Sequence, residues 1–147
     1  MEDKIKDVQQ KAKSANVSER PVGSFMTKGV IALRVGDSIR HAISVFKTHK
    51  VSGAPVLGTD NALKGILSEY DLVLQAAIKD LDTPFEFTSK VTAVRVDAKL
   101  KDIIVIFYKQ KIKRIPVIGA ANTVVGIVSR IDLLNTLAFP LEDSKAE

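Results

Sequence analysis

Two short stretches carry the side chains with the clearest chemical potential, and the stretches are nearly the same. Gly65–Asp71 reads Gly-Ile-Leu-Ser-Glu-Tyr-Asp, and Gly126–Asp132 reads Gly-Ile-Val-Ser-Arg-Ile-Asp. Each places a serine three residues before an aspartate, directly after a short apolar run. An ionised carboxylate can accept both hydrogen bonds of a vicinal diol, and a helix N-terminus offers N–H groups to a phosphate. The pattern therefore predicts a binding turn for a polar ligand.

The same spacing has a purely structural interpretation. Ser-x-x-Asp before an apolar run is a capping-box pattern, in which the serine is the N-cap and the aspartate is the third helical residue. Ser68 with Asp71, and Ser129 with Asp132, both fit it. Capping and ligand binding are compatible, so the sequence leaves both roles open.

The two stretches belong to an internal duplication. A shift of 61 residues aligns residues 26–75 with residues 87–136 without a gap, and about 17 of the 50 aligned positions are identical. Unrelated segments match at only a few positions, so the chain contains two copies of one structural unit. The identical pairs include Thr27 and Thr88, Val30 and Val91, Pro55 and Pro116, Gly65 and Gly126, Ser68 and Ser129, and Asp71 and Asp132.

Each repeat predicts the element order strand–helix–strand–strand–helix. The first strands are expected at Val30–Val35 and Val91–Val96, because these runs are rich in β-branched residues. The first helices are predicted from apolar residues at helical spacing, which are Ile39, Ala42, Ile43 and Phe46 in one copy and Leu100, Ile103, Ile104 and Phe107 in the other. Ala54–Leu57 and Ile115–Ile118 predict strands in which the proline takes an edge or strand-start position. The remaining strands are predicted at Leu63–Leu67 and Val124–Val128, and each leads into a helix from about Ser68 or Ser129.

We therefore expect an α/β (α+β) fold of two β-α-β-β-α units packed with pseudo-twofold symmetry. About 50 residues bury too little surface to be stable alone, and the symmetry predicts two equivalent clefts where the units meet. The predicted division is a polar helix or arm at 1–20, unit 1 at 21–79, a linker at 80–86, unit 2 at 87–139 and a tail at 140–147.

Composition narrows the class of protein. The chain has no cysteine, no apolar core of a secretory signal and no apolar run near the ~18 residues needed to span a bilayer. We expect a cytoplasmic location and no metal site. The net charge is +5, and the one dense basic cluster, Lys109–Arg114, leaves a nucleic-acid binder as a less favoured alternative. No nucleophile arrangement or phosphate-binding P-loop is present, so no enzyme activity is expected.

The duplicated unit, the Pro-Val after its first helix and the Gly-Ile-x-Ser-x-x-Asp ending resemble the CBS domain. Two copies in tandem resemble a stand-alone CBS pair, or Bateman module, and the likeness covers roughly residues 22–138. The resemblance implies no cofactor, but an adenine nucleotide (AMP, ADP or ATP) or an adenosyl compound as regulatory ligand. It also implies a homodimer formed through the helices, and an unknown effector protein outside the chain. A ligand-free dimerisation or docking scaffold is the main alternative.

Matching the family motif residue by residue implies two ligand-binding sites. The serine and aspartate would hold ribose hydroxyls and phosphate, and residues around the first threonine and the Pro-Val would line the base pocket. One site would comprise Thr27, Val30, Ala54, Pro55, Ser68 and Asp71. The other would comprise Thr88, Val91, Ile115, Pro116, Ser129 and Asp132. Apart from the family motif, Arg130, which follows Ser129, and Arg114 are candidate phosphate ligands because of their positive charge.

The two repeats differ at positions that matter for charge. Arg130 corresponds to Glu69, and Arg114 corresponds to Gly53. The sequence therefore predicts that the Ser129 side accommodates phosphate better than the Ser68 side.

Overall fold

The computed structural model describes residues 3–7 and 17–139. The first repeat forms β1 (Leu33–Arg34), α1 (Ile39–His49), β2 (Gly53–Leu57), β3 (Leu63–Ser68) and α2 (Glu69–Ile78). The second forms β4 (Val94–Arg95), α3 (Leu100–Gln110), β5 (Arg114–Ile118), β6 (Val124–Ser129) and α4 (Arg130–Ala138). The predicted element order and the mixed α/β class are thus confirmed. None of the helices in the described residues is long and apolar enough to span a membrane.

The chain divides into two compact bodies whose boundaries differ from those of the repeats. Body A comprises Val30–Thr92 and Ala120–Val124, and it contains the sheet β1-β2-β3. Body B comprises the described residues of Met1–Gly29, Ala93–Gly119 and Val125–Glu147. The described residues up to Gly29, which come before β1, therefore belong to body B. The residues up to Thr92, which come before β4, belong to body A.

The first strand of each repeat is shorter than the sequence predicts. Instead of six residues, β1 and β4 have two residues each. A turn ends β1, because the carboxylate of Asp37 accepts a hydrogen bond from the N–H of Arg34 at 2.9 Å, and the N–H of Asp37 donates to the carbonyl of Arg34 at 3.0 Å. The residues of the predicted strand that come before Leu33 have no regular secondary structure.

The strands predicted at Ala54–Leu57 and Ile115–Ile118 are present, but the edge or strand-start position predicted for their prolines was wrong. Pro55 lies in β2, which is the middle strand of its sheet, with β1 parallel on one side and β3 antiparallel on the other. A central proline is tolerated here because β1 begins opposite Val56, one residue beyond Pro55. The β1 side of the proline therefore has no strand partner that would need its missing N–H.

Helix α1 shows how local sequence and packing agree. The hydroxyl oxygen of Ser38 accepts a hydrogen bond from the N–H of His41 at 3.0 Å, which makes Ser38 the N-cap; such a cap contributes ~1 kcal/mol. Ile39, Ala42 and Phe46 form the buried stripe that the apolar spacing predicts. They pack into the core of body A with residues of β2 and β3.

The N-terminal segment is built into the core of body B. Val22 is fully buried, Phe25 is nearly so, and both pack with α3, β5 and β6. The N–H of Val22 donates to the carbonyl of Ala98 at 2.7 Å. Earlier in the segment, the carboxylate of Glu19 pairs with Lys99 at 2.5 Å and with Lys101 at 2.9 Å. These contacts fix the segment that leads to Thr27. Residues 3–7 are helical, and the remainder of the predicted N-terminal arm up to residue 16 lies outside the described residues, as does the predicted tail.

The acidic linker is likewise an ordered part of body A. Phe85 is buried in its core. The side chain of Gln75 donates to the carbonyl of Glu86 at 2.8 Å and accepts from its N–H at 2.7 Å. Because this segment is held against α2, it delivers Thr88 to the sheet of body A.

Candidate functional site

In body B, the residues of the second Ser-x-x-Asp turn meet a threonine from the other end of the chain. Thr27 forms an antiparallel bridge with Ile127 of β6, with backbone N–H···O distances of 2.8 and 2.9 Å. Its hydroxyl donates to the carboxylate of Asp132, at 3.0 Å to Oδ1 and 3.2 Å to Oδ2. The threonine hydroxyl and the aspartate carboxylate are thus in direct contact near the end of β6.

The carboxylate of Asp132 also caps its own helix. Its Oδ2 accepts from the backbone N–H of Ser129 at 2.9 Å and from the hydroxyl of Ser129 at 3.1 Å. The turn forms a capping box at the start of α4. The structural interpretation of this motif is therefore correct in body B, and it holds the carboxylate in a fixed orientation.

The glycine of the motif has a steric role. A Cβ atom on Gly126 would lie 2.3 Å from Sδ of Met26, far closer than two such atoms can approach. In body A, a Cβ atom on Gly65 would lie 2.1 Å from the carbonyl oxygen of Thr88 and 2.6 Å from the ring of Phe87. Each glycine therefore allows a Met-Thr or Phe-Thr segment to lie directly against the final strand of the sheet.

Two arginines lie near the turn in body B. Arg130 is the first residue of α4 and is exposed, whereas Arg114 is the first residue of β5 and is half-buried. Burial lowers the pKa of Arg114, and the positive charge of Arg130 lowers it further. Arg114 begins β5, and Arg130 directly follows β6, the neighbouring strand of the same sheet.

The equivalent turn in body A has a more open carboxylate. The hydroxyl oxygen of Ser68 accepts from the N–H of Asp71 at 3.2 Å, which caps α2. Asp71 is exposed, and no hydrogen bond reaches its carboxylate from residues 3–7 or 17–139. Thr88 forms an antiparallel bridge with Ile66 of β3, and its hydroxyl accepts from the N–H of Lys90 at 3.1 Å. Only one arm of the capping box is therefore present here.

The structure corrects the grouping of residues that the repeat implied. Thr27 was assigned to the site of Ser68 and Asp71, yet it bonds to Asp132. Thr88 was assigned to the site of Ser129 and Asp132, yet it pairs with β3 of body A. The reason is that each Thr segment crosses to the final strand of the other repeat. An alignment of repeats identifies equivalent residues but does not indicate which copy they pack against, so no sequence signal revealed the exchange.

Of the remaining predicted site residues, the two prolines and the residues before them lie in strands, whereas Val30 and Val91 do not. Ala54 and Pro55 are buried in β2, and Ile115 and Pro116 are buried in β5. Val30 and Val91 are half-buried residues of body A. Body A therefore contains Val30, Ala54, Pro55, Ser68, Asp71, Thr88 and Val91, and body B contains Thr27, Arg114, Ile115, Pro116, Ser129, Arg130 and Asp132. In the described part of the chain, no three His, Asp or Glu side chains are grouped so as to hold a metal ion.

The family model of the CBS domain matches the chain twice, at residues 22–77 and at residues 78–138. Together the two matches cover most of the sequence. The chain belongs to the CBS-domain family. It is a tandem CBS pair, and its two sheets with their helices agree with the fold of solved CBS-pair structures.

Individual relatives of this CBS pair differ greatly in length. Inosine-5'-monophosphate dehydrogenase of Methanocaldococcus jannaschii is 27% identical over 115 residues, and the match spans 77% of this chain but only 23% of the dehydrogenase. An uncharacterised protein of the same organism is 29% identical over 152 residues, and the match spans 79% of this chain and 90% of that protein. The crystal structure of CBSX2 in complex with AMP superposes with a TM-score of 0.67 and 28% identity, over 83% of this chain and 98% of that one.

Proposed function

We propose that this CBS pair is a cytoplasmic regulatory module that binds an adenine nucleotide or an adenosyl compound and acts on a separate protein. CBSX2, a relative with the same fold, has been solved in complex with AMP. Binding would favour one of the conformations available to the module, and the partner would respond to the population of that conformation. The chain itself would carry out no chemical reaction.

The observation that carries this proposal is the meeting of Thr27 with Asp132 beside Arg114 and Arg130. A carboxylate held by Ser129 is oriented to accept a ribose diol. The Thr27 hydroxyl, which occupies the carboxylate at 3.0 Å, would turn toward the ligand as the diol replaces it. The free N–H groups at the start of α4 and the two guanidinium groups would face the phosphate. Ile115 and Pro116 of β5 would border the base.

Asp71 would play the same part in body A. Its carboxylate is exposed and accepts no hydrogen bond from the described residues, so a diol could bind without displacing a protein donor. Ser68 would keep α2 capped while the ligand is bound. The half-buried Val30 and Val91 would supply apolar surface in the same body, whose strand β2 contains the buried Ala54 and Pro55.

Isothermal titration of the purified chain with AMP, ADP, ATP and S-adenosylmethionine tests the proposal. We expect heat from at least one of these ligands and a rise in melting temperature with the same ligand. Guanosine monophosphate is the control for a general preference for anions, and it should bind more weakly. An absence of both heat and thermal shift with all four adenine compounds would contradict the proposed function.

A ligand-free scaffold is the second candidate. The hydrogen bonds that the carboxylate of Asp132 already accepts within the protein favour it. Because Ser129 and Thr27 already donate to that carboxylate, the turn is complete as a structural cap. In this case the module would serve only for dimerisation or docking. The titration distinguishes the two functions, since a scaffold binds none of the compounds.

A further inference from the structure

The two Ser-x-x-Asp turns carry opposite charge. In body B, Arg130 follows Ser129, and Arg114 begins the neighbouring strand β5. In body A, Glu69 follows Ser68, and Gly53 lies opposite Ser68 in the β2–β3 pair. Equivalent positions of the repeat therefore hold two cations in one body and one anion with no cation in the other.

The position of Arg130 in body B is unfavourable for the fold itself. Arg130 is in the first turn of α4, where the positive end of the helix dipole opposes a positive side chain. No carboxylate among residues 3–7 and 17–139 forms an ion pair with it. Burial lowers the pKa of the half-buried Arg114, and the positive charge of Arg130 lowers it further. An anion bound at this turn would offset the unfavourable position of Arg130.

Glu69 has the opposite effect in body A. An acidic residue in the first turn of α2 favours the helix dipole. Together with Asp71, however, it puts two carboxylates at the turn, and both are exposed to an incoming ligand. A phosphate group there would meet two negative charges and no arginine from β2, whose first residue is Gly53.

We infer that the two bodies select different adenosyl ligands: body B binds a phosphorylated adenine nucleotide, whereas body A binds an adenosyl compound that is uncharged or positively charged. This inference rests on the proposed function. It adds that Arg130 and Glu69 determine specificity through their charge, so that one chain responds to two chemically distinct ligands.

Titrations with AMP and adenosine test the inference, because the two compounds differ only in the phosphate. For Arg130→Gln we expect AMP affinity to fall by roughly 10- to 100-fold, the usual range for one hydrogen bond to a charged group. Adenosine affinity should stay within about twofold, since it has no phosphate to contact Arg130. Arg114→Gln should act in the same direction.

Glu69→Gln provides the reciprocal measurement. Removal of this carboxylate should improve the weaker of the two AMP-binding events by roughly 10-fold and leave adenosine binding unchanged. Lys109→Gln, at an exposed basic position near the end of α3, is the matched control and should leave the affinity for both ligands unchanged.

Added salt should weaken AMP binding in the wild-type chain much more than adenosine binding.

Two results would be negative, and they can be told apart. If AMP binds but Arg130→Gln and Glu69→Gln change its affinity no more than Lys109→Gln does, the charge-based selection is wrong while the proposed function stands. If neither AMP nor adenosine binds the folded wild-type chain, the proposed function fails and this inference fails with it.

Discussion

At the scale of single residues, Asp132 and Asp71 occupy equivalent positions in the repeat but form different hydrogen bonds. Asp132 accepts hydrogen bonds from Ser129 and from Thr27, and so ties α4 to the N-terminal segment. Asp71 offers only its backbone N–H, which Ser68 accepts. The motif therefore caps its helix through different hydrogen bonds in its two copies.

Removal of the two carboxylates should affect stability unequally. Asp132→Ala should lower the free energy of unfolding by about 1–2 kcal/mol, because it removes one arm of a capping box and a long-range hydrogen bond. Asp71→Ala should change it by less than about 0.5 kcal/mol, since the cap made by Ser68 survives. Urea unfolding of both variants measures the difference. Equal losses would show that the hydrogen bonds to Asp132 contribute nothing.

The glycine of the motif gives a second prediction at this scale. Gly65→Ala should cost about 1–3 kcal/mol or more, because the new methyl group would clash with the backbone carbonyl of Thr88, which cannot move freely. Gly58→Ala is the matched control: its Cβ would meet the flexible side chain of Lys64 and no backbone atom. Chemical denaturation should rank the two variants in this order, and a Gly65→Ala variant as stable as Gly58→Ala would refute the steric role.

At the scale of elements, the least regular segments determine where the site forms. Residues 17–27 carry no strand, yet buried Val17 and Val22 and the ion pairs of Glu19 fix them against β4 and α3. This attachment holds Thr27 against β6. The position of the candidate site in body B therefore depends on a segment that looks like a polar arm in the sequence.

The anchoring of this segment should depend on pH. Hydrogen bonds from Lys99 and Lys101 lower the pKa of Glu19 from its usual 4.5 to about 2. Because the folded pKa is the lower one, the ion pairs stabilise the fold above pH ~4.5 and are lost as the pH falls toward 2. The difference in unfolding free energy between the wild type and Glu19→Gln should therefore be largest at neutral pH and shrink in acid.

Asp97→Asn is the control for that series, since Asp97 is an exposed acid of body B that forms no ion pair with the described residues. Its difference from the wild type should vary much less across the same pH range. The effect of Glu19 should also be modest, because the group is exposed and screened by solvent. A Glu19→Gln difference that stays constant from pH 7 to strongly acidic solution would contradict the assignment.

The sequence predicted the helices more accurately than the strands. It identified the residues of the Ser-x-x-Asp motif but not the residues that contact them. The spacing of Ile39, Ala42 and Phe46 was sufficient for α1, since burial of one helix face is a local pattern. The place of Pro55 in a central strand was not predictable, because it depends on where β1 begins. The pairing of Thr27 with Asp132 depends on a crossing between repeats that leaves no mark in the sequence.

At the scale of the whole molecule, the exposed apolar surface of α2 is a candidate interface for a second copy of the chain. Tyr70, Val73, Leu74 and Ile78 are 61–85% exposed along this helix. An apolar groove of about 520 Å³ lies beside it, against α1. By contrast, Ile106 of α3 is packed against the core of body B. We therefore expect the proposed homodimer to use α2.

A charge placed on this surface should dissociate the dimer. Val73→Glu should shift the chain to a monomer in sedimentation equilibrium, because a carboxylate buried at an apolar interface is costly. Val35→Glu is the control, at a residue of body A that is 53% exposed but lies outside α2. A wild-type chain that is monomeric at high concentration, or a Val73→Glu chain that remains dimeric, would remove α2 as the interface.

Calorimetric titration of AMP into the wild type, Asp71→Ala, Asp132→Ala and the double variant tests the central claim most directly. The account predicts that the wild type binds AMP, that Asp132→Ala weakens this binding by roughly 10-fold or more, and that the double variant binds none while remaining folded. AMP affinity that is the same in all four proteins, or no binding by the wild type, would contradict a role of these carboxylates in nucleotide recognition and leave them as helix caps.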